Sequence, residues 1–472
     1  VSISQSPVLS ADQSKPQVHA PVARHLLVGH PAQSDGKSVP QLLWRRLLLI
    51  GVLVALVSLL GFITSLRFSS VVQTIGTDSV PSIVAAEHIR STLADAHTEL
   101  ANVFLSGEGT TGQNFKTYSQ TMDHVHDVLV SAAQNITYGD DERKPILSMM
   151  SGLASYERLV GTAFASPDHS AALVQADTLI RGQIMPAADA LAQANMVHLQ
   201  KAYHDGEQGA HVRLYLFLML VLVLALVLIE TQYFIYRHFR RIINPAMAAG
   251  MLLLLACTLF FALSVHRITE EVRAAKEDAF DSVYALSQAQ AHAYAANAHE
   301  SIYLLLTDKT AQAAQTELFN ADAQALFAAQ TGTDAYVYPA DLKTLKDMGL
   351  LGAELANITY PGEEDAAKAT LDNWLTYLNI DGQIRRLESA GQHAEAVRLC
   401  LGVDANQSDW AFNRFMTALQ HTIDLNQHQF DQAIQRAQKK EFWLWLMLLT
   451  IFLCPFLGSV IGLRQRMAEF RE

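Results

Sequence analysis

Four apolar runs decide what this chain can become: residues 47–66, 214–236, 246–265 and 442–463 are each long enough to cross a bilayer at about 1.5 Å rise per residue. Only a short basic segment, Arg237-His238-Phe239-Arg240-Arg241, and then Asn244-Pro245 separate the middle two, which therefore read as a transmembrane hairpin. Positive charge marks the cytoplasmic side. Arg237, Arg240 and Arg241 thus form a membrane-interface basic loop inside the cell. Arg45 and Arg46 before the first run, with Arg464, Arg466 and Arg471 after the last, put both termini on the same side.

These anchors divide the chain. A disordered cytoplasmic region, 1–43, is rich in Ser, Gln, Pro and His; transmembrane helices are expected at 44–67, 212–236, 246–266 and 441–463. Between them lie two extracytoplasmic segments, 68–211 and 267–440, the basic loop 237–245 and a cytoplasmic tail, 464–472. The opening Val1 is consistent with processing or an alternative start, and the long polar lead-in argues against a cleaved signal peptide at the first run.

Composition narrows the function classes. A net charge of -12, with basic clusters only at the membrane edges, excludes nucleic acid as an expected partner. Of the 3 cysteines, Cys257 and Cys454 lie inside apolar runs and Cys400 stands alone, so neither a disulfide framework nor a zinc-ligand spacing is present. No cofactor is implied.

The polar segments carry helical periodicity. Phe115, Tyr118, Met122, Val125, Leu129 and Ala132 repeat at three- and four-residue spacing, as do Ile146, Met149, Leu153, Tyr156, Val160 and Ala163. Such stripes predict helices near 78–106, 114–135, 141–165 and 169–211, arranged as an antiparallel four-helix bundle. The second segment repeats the plan. Asn135-Ile136-Thr137-Tyr138 before an acidic helix start has a counterpart in Asn357-Ile358-Thr359-Tyr360, and 82–105 aligns with 282–305. The expected fold is all-α: four transmembrane helices with two extracytoplasmic four-helix-bundle-like domains from an internal duplication, the second with an insertion near 328–350.

A span, a bundle opening on Ser79-Val80-Pro81 (SVPSIVAAEHIRSTLADAHTEL) and a returning span resemble the sensor regions of methyl-accepting chemotaxis proteins. Phe239-Arg240-Arg241-Ile242-Ile243-Asn244-Pro245 looks like the start of the HAMP linker that joins membrane to signalling domain in that family, but Pro245 leads into another span. The tandem arrangement is also similar to uncharacterised bacterial multi-pass membrane proteins. The resemblance implies a bacterial plasma-membrane receptor that senses a ligand or partner outside the cytoplasm and signals through an associated protein. A non-catalytic scaffolding subunit of a larger membrane complex is the competing expectation.

Candidate site residues are few. Arg90, Arg158 and Arg181 are scarce cations in an acidic segment, where 68–211 holds 16 Asp and Glu against 7 Lys and Arg; in the resembling receptors such arginines hold a ligand carboxylate. His124 and His126 lie within Asp123-His124-Val125-His126-Asp127, with His88 and His97 on the preceding helix. They are candidate metal ligands or pH-sensitive groups, although a two-residue spacing points them to different helix faces. No Gly-rich phosphate loop, nucleophile elbow or HExxH pattern appears, so no enzymatic activity is expected. Glu230, embedded near the basic loop, reads as an interfacial ion pair. Expected partners are the lipid bilayer, a protein in or beside the membrane, and a second copy of the chain.

Overall fold

The computed structural model describes residues 39–166, 169–239, 245–328 and 336–468, and every regular element among them is a helix. Of the region 1–43 expected to be disordered, residues 1–38 lie outside the described residues, whereas 39–43 belong to the first helix; the loop arginines Arg240 and Arg241 also lie outside the described residues, and Arg237 is exposed at the end of its helix.

The first half opens with α1 (Val39–Gln73), which passes through a π turn at Thr74–Ser79 into α2 (Val80–Ser106). The apolar run and the helix beyond it are therefore one rod. Gly107, at φ 69°, ends α2 in the left-handed conformation that a glycine adopts without a Cβ penalty. Then come α3 (Gln113–Gln134), α4 (Asp140–Ala165), α5 (His169–Leu179), a second π turn at Ile180–Ile184, and the long α6 (Met185–Phe239). The second half follows with α7 (Pro245–Arg273), a π turn at Ala274–Phe280, α8 (Asp281–Leu305), α9 (Lys309–Leu326), the short α10 (Leu350–Ala356), α11 (Glu363–Ser389), α12 (His393–Cys400) and α13 (Ser408–Ala468).

Three continuous helical stretches among the described residues are long and apolar enough to cross a membrane: Gln41–Ser106, His169–Arg237 and Pro245–Leu305. α13 runs as helix through 442–463. α1, α6, α7 and α13 touch one another in a closed ring. Gly458 serves that contact, because a Cβ there would come 3.1 Å from the Ala246 carbonyl oxygen of α7. Glu230 forms an ion pair, and its partner is Arg46 of α1: Nη2 donates to Oε1 at 2.6 Å, while the guanidinium lies 4.2 Å above the Phe234 ring. Arg46 thereby ties α1 to α6 near the end of each apolar stretch.

Outside the apolar stretches, the two 3-4 stripes face inward. Tyr118, Met122, Val125, Leu129 and Ala132 on α3 are buried, and so are Ile146, Met149, Leu153, Tyr156, Val160 and Ala163 on α4. Each large member contributes roughly 1.5–3 kcal/mol on leaving water. The counterpart core in the second half centres on Trp374, Tyr377, Phe412 and Phe415. The two halves meet along α2 and α8, which lie side by side: Thr98 donates to the Tyr294 carbonyl at 2.9 Å, and Ser301 to Asn102 Oδ1 at 2.7 Å.

The paired Asn-Ile-Thr-Tyr loops do matching work. Asn135 donates to Ser82 Oγ at 3.0 Å, and Asn357 donates to Ser282 Oγ at 3.0 Å. The backbone N–H groups of Thr137 and Tyr138 converge on Glu142 Oε2, both at 2.6 Å; those of Thr359 and Tyr360 converge on Glu363 Oε2 at 2.6 and 2.9 Å. A glycine with positive φ, Gly139 or Gly362, turns each loop into the next helix. Each tyrosine then reaches the neighbouring π turn: Tyr138 OH meets Ser79 Oγ at 2.8 Å, and Tyr360 OH donates to the Ala274 carbonyl at 3.4 Å. One difference stands out. Asn195 donates to the same glutamate, Glu142, at 2.9 Å, whereas Asn426 donates at 3.1 Å to Glu354, which the second half alone supplies from α10.

Candidate ligand cavity between the two halves

Where α2 meets α8, small side chains leave the space between the helices unfilled. Ala94 on α2 and Ala291, Ala295 and Ala298 on α8 line a cavity of about 210 Å³, with Ile180 and Met185 completing its apolar wall. Its polar groups come from five elements: α2, α5, the π turn at Ile180–Ile184, α8 and α9.

Arg90 on α2 is 9% exposed; its Nη1 donates to Glu87 Oε2 and to Asp189 Oδ1 of α6, both at 2.9 Å. Arg90 Nε has no hydrogen-bond partner. Burial raises the Glu87 carboxyl, against the opposing pull of Arg90. Arg181 sits on the π turn between α5 and α6, and its Nε and Nη2 reach Asp177 Oδ2 at 3.0 and 2.7 Å. Burial works to raise Asp177, but the Arg181 hydrogen bonds and the nearby imidazoles outweigh it and hold the carboxyl below its usual range. From α8 come His292, at 2.7 Å from Asp322 Oδ1 of α9, and His299, whose Nε2 lies 3.5 Å from Asp322 Oδ2.

His97 is the least satisfied member. It is buried, its Nδ1 lies 3.4 Å from Tyr156 OH, and its Nε2 has no hydrogen-bond partner. Burial pushes its pKa down to about 4, with His299 and Arg181 acting in the same direction and Asp177 opposing. The ring is therefore neutral at physiological pH. A buried ring nitrogen without a partner is costly unless something supplies one.

Two arginines and two aspartates thus line the cavity, each cation held beside an anion. The balance suits a small molecule with an apolar body and polar groups of both kinds, and the size lies below the usual range for drug-sized pockets, about 300–1,000 Å³.

Of the residues singled out from sequence, Arg90 and Arg181 come together in this cavity from different helices. Arg158 is exposed on α4 and does not line it. His124 and His126 are not brought together: His126 Nε2 pairs with Glu157 Oε1 at 3.0 Å, whereas His124 faces His88. Their side chains leave α3 on different sides, as the two-residue spacing requires. Among the described residues, no group of three or more His, Cys, Asp or Glu is close enough to hold a metal ion. Sequence reasoning did not assign Asp177, His292 or Asp322. A histidine seven residues before His299, on the same face of α8, was the available signal.

Residues 71–204 match the family model of an actinobacterial sensor domain. The stretch runs from just before the first π turn into α6, and it includes Arg90, His97, Asp177 and Arg181. The opposite cavity wall, His292, His299 and Asp322, lies outside it. No curated protein and no solved structure matches the chain. Together with the three long apolar helices, the family match supports a sensor-like bacterial membrane protein.

Proposed function

We propose that this chain is a four-span bacterial membrane sensor with cytoplasmic termini. Its two extracytoplasmic helical bundles arose by duplication, and a small polar molecule binds in the cavity where they meet. Several features support the duplication: π turns that begin 200 residues apart, at Thr74 and Ala274; side-chain bonds from Asn135 to Ser82 and from Asn357 to Ser282; and glutamates that gather the same two loop amides.

The observation that carries the sensing role is the cavity itself. It lies between α2 and α8, each continuous with an apolar helix, and presents the unpartnered His97 Nε2 beside Arg90 and Arg181. A molecule seated there contacts both bundles at once. If it binds one relative placement of α2 and α8 more tightly than another, it shifts that equilibrium by its differential affinity, and the attached spans move with it. The signal then passes to a protein that contacts the spans or the basic loop at 237–245.

The test uses the full chain in lipid nanodiscs and a library of small zwitterionic and amphipathic metabolites, read by thermal shift and calorimetry. Saturable stabilisation by a member of the library is expected, following ligand linkage. It should disappear in D177N/R181Q, which removes the Asp177–Arg181 ion pair from the cavity without leaving either partner charged alone. Binding that survives this change, or that maps outside the cavity, would refute the assignment.

A further inference from the structure

A second and more open groove, of about 440 Å³, runs between α2, α3, α8 and α13. At its edge, His88 of α2 and His124 of α3 face each other with their Nε2 atoms 3.3 Å apart. That separation is within hydrogen-bond reach for one tautomeric pairing of the rings. It also equals the spacing of two imidazole nitrogens bound to one tetrahedral zinc ion, which at about 2.0–2.1 Å each lie about 3.3–3.4 Å apart. The two rings meet edge to face, their centroids 4.9 Å apart and their planes at 67°.

The charge of the groove favours a cation. Asp95 lines it, with Glu99 and Asp409 close enough to repel through space, and none of the three carboxylates forms an ion pair among the described residues. Burial, then mutual repulsion, pushes Asp95 and Asp409 up to about 7, and burial alone does the same to Glu99. The remaining lining is polar, with Gln120, Gln290 and Gln420 among it.

We propose that His88 and His124 are the two protein ligands of a binding site for a divalent late-transition metal of the zinc class. No third His, Cys, Asp or Glu joins them among the described residues, so a tetrahedral ion keeps two positions for water or a small ligand from the groove. Because the ligands come from different helices, the ion clamps α3 to α2 on the side that faces α8. The site is independent of the cavity around His97.

Calorimetric titration of the tag-free full chain in nanodiscs with zinc chloride, and separately with nickel chloride, tests this. One saturable equivalent is expected. H88Q and H124Q should each weaken it roughly tenfold or more, since loss of even an indirect support of a metal site costs that much. H126Q, whose ring pairs with Glu157, should bind as the unaltered protein does. X-ray absorption of the zinc-loaded protein gives a readout that needs no variant to fold: two imidazole nitrogens at about 2.0–2.1 Å are expected. A zinc shell of oxygen alone, absence of saturable binding, or equal affinity in the H88Q/H124Q double variant would overturn the proposal.

Discussion

Replacing Glu142 and Glu363 by alanine, one at a time, should have unequal effects although both glutamates hold the same loop. Glu142 is 1% exposed and accepts three hydrogen bonds, from the amides of Thr137 and Tyr138 and from Asn195 Nδ2, so both of its oxygens are engaged. Glu363, equally buried, accepts only the two amides, and its Oε1 has no partner. Its charge also acts on Glu354, whose carboxyl is pushed up to about 7 by burial first, with Ser282 opposing and Glu363 adding to the rise. Hydrogen bonds to a charged acceptor are worth about 1.5–3 kcal/mol each, with overlap when they share one carboxylate. E142A should therefore cost about 4 kcal/mol. E363A loses one bond fewer and relieves the repulsion with Glu354, which reduces its cost to about 2 kcal/mol. Hydrogen exchange on the nanodisc-embedded protein would read this directly. Loss of protection at Thr137 and Tyr138 in E142A should exceed the loss at Thr359 and Tyr360 in E363A by ~30-fold, the equivalent of about 2 kcal/mol. Equal losses, or a larger loss in E363A, would show that the unpartnered oxygen and the Glu354 contact do not set the difference.

The remaining expectations are briefer. Asp95, Glu99, Glu354 and Asp409 are raised to about 7 and Glu300 to about 8, chiefly by burial, so the folded chain binds more protons than the unfolded chain above the ordinary carboxyl range. Their stabilisation is complete at low pH and is lost as pH rises through those values; His97, depressed to about 4, acts oppositely but only below its ordinary value near 6.5. The melting temperature should therefore fall between pH 6.5 and pH 8.5, and a rise over that interval would contradict the assignment. Y138F removes the bond to Ser79 and should cost about 1 kcal/mol, seen as faster exchange confined to 74–79. G458L places a side chain against the Ala246 carbonyl and should weaken the α7–α13 contact, lowering the melting temperature more than G161L, where a Cβ meets nothing within 4 Å.

Much of this architecture is legible in the chain because helices announce themselves locally. The 3-4 stripes on α3 and α4 give their buried faces directly, and the Gly-rich and acidic stretches at 106–112 and 137–142 mark their ends. The Asn-Ile-Thr-Tyr pair is visible as a repeat, but its reason is not. Only the fold shows that asparagine, backbone amides and tyrosine each hold a different neighbour. The cavity is the least legible part, because half of it belongs to each half of the chain. Arg90 and Arg181 are conspicuous as rare cations, while His292 and Asp322 matter only through the long-range pairing of α2 with α8. The His88–His124 contact was hidden for the same reason: 36 residues separate two rings that the α2–α3 packing brings within 3.3 Å.

The π turns at 74–79 and 274–280 also bear on how this chain tolerates changes of length. Such a turn holds one residue more than the α turn that it replaces. Losing one residue elsewhere along the continuous rods Gln41–Ser106 or Pro245–Leu305 rotates everything downstream by about 100° and shortens it by about 1.5 Å, carrying the cavity-lining face away from its partner. Losing one within either π turn lets the hydrogen bonds close as ordinary α turns, with the flanking faces left in place. Each junction thus works as a slack link, and a single-residue deletion scan across it should find one short tolerant window in an otherwise intolerant helix.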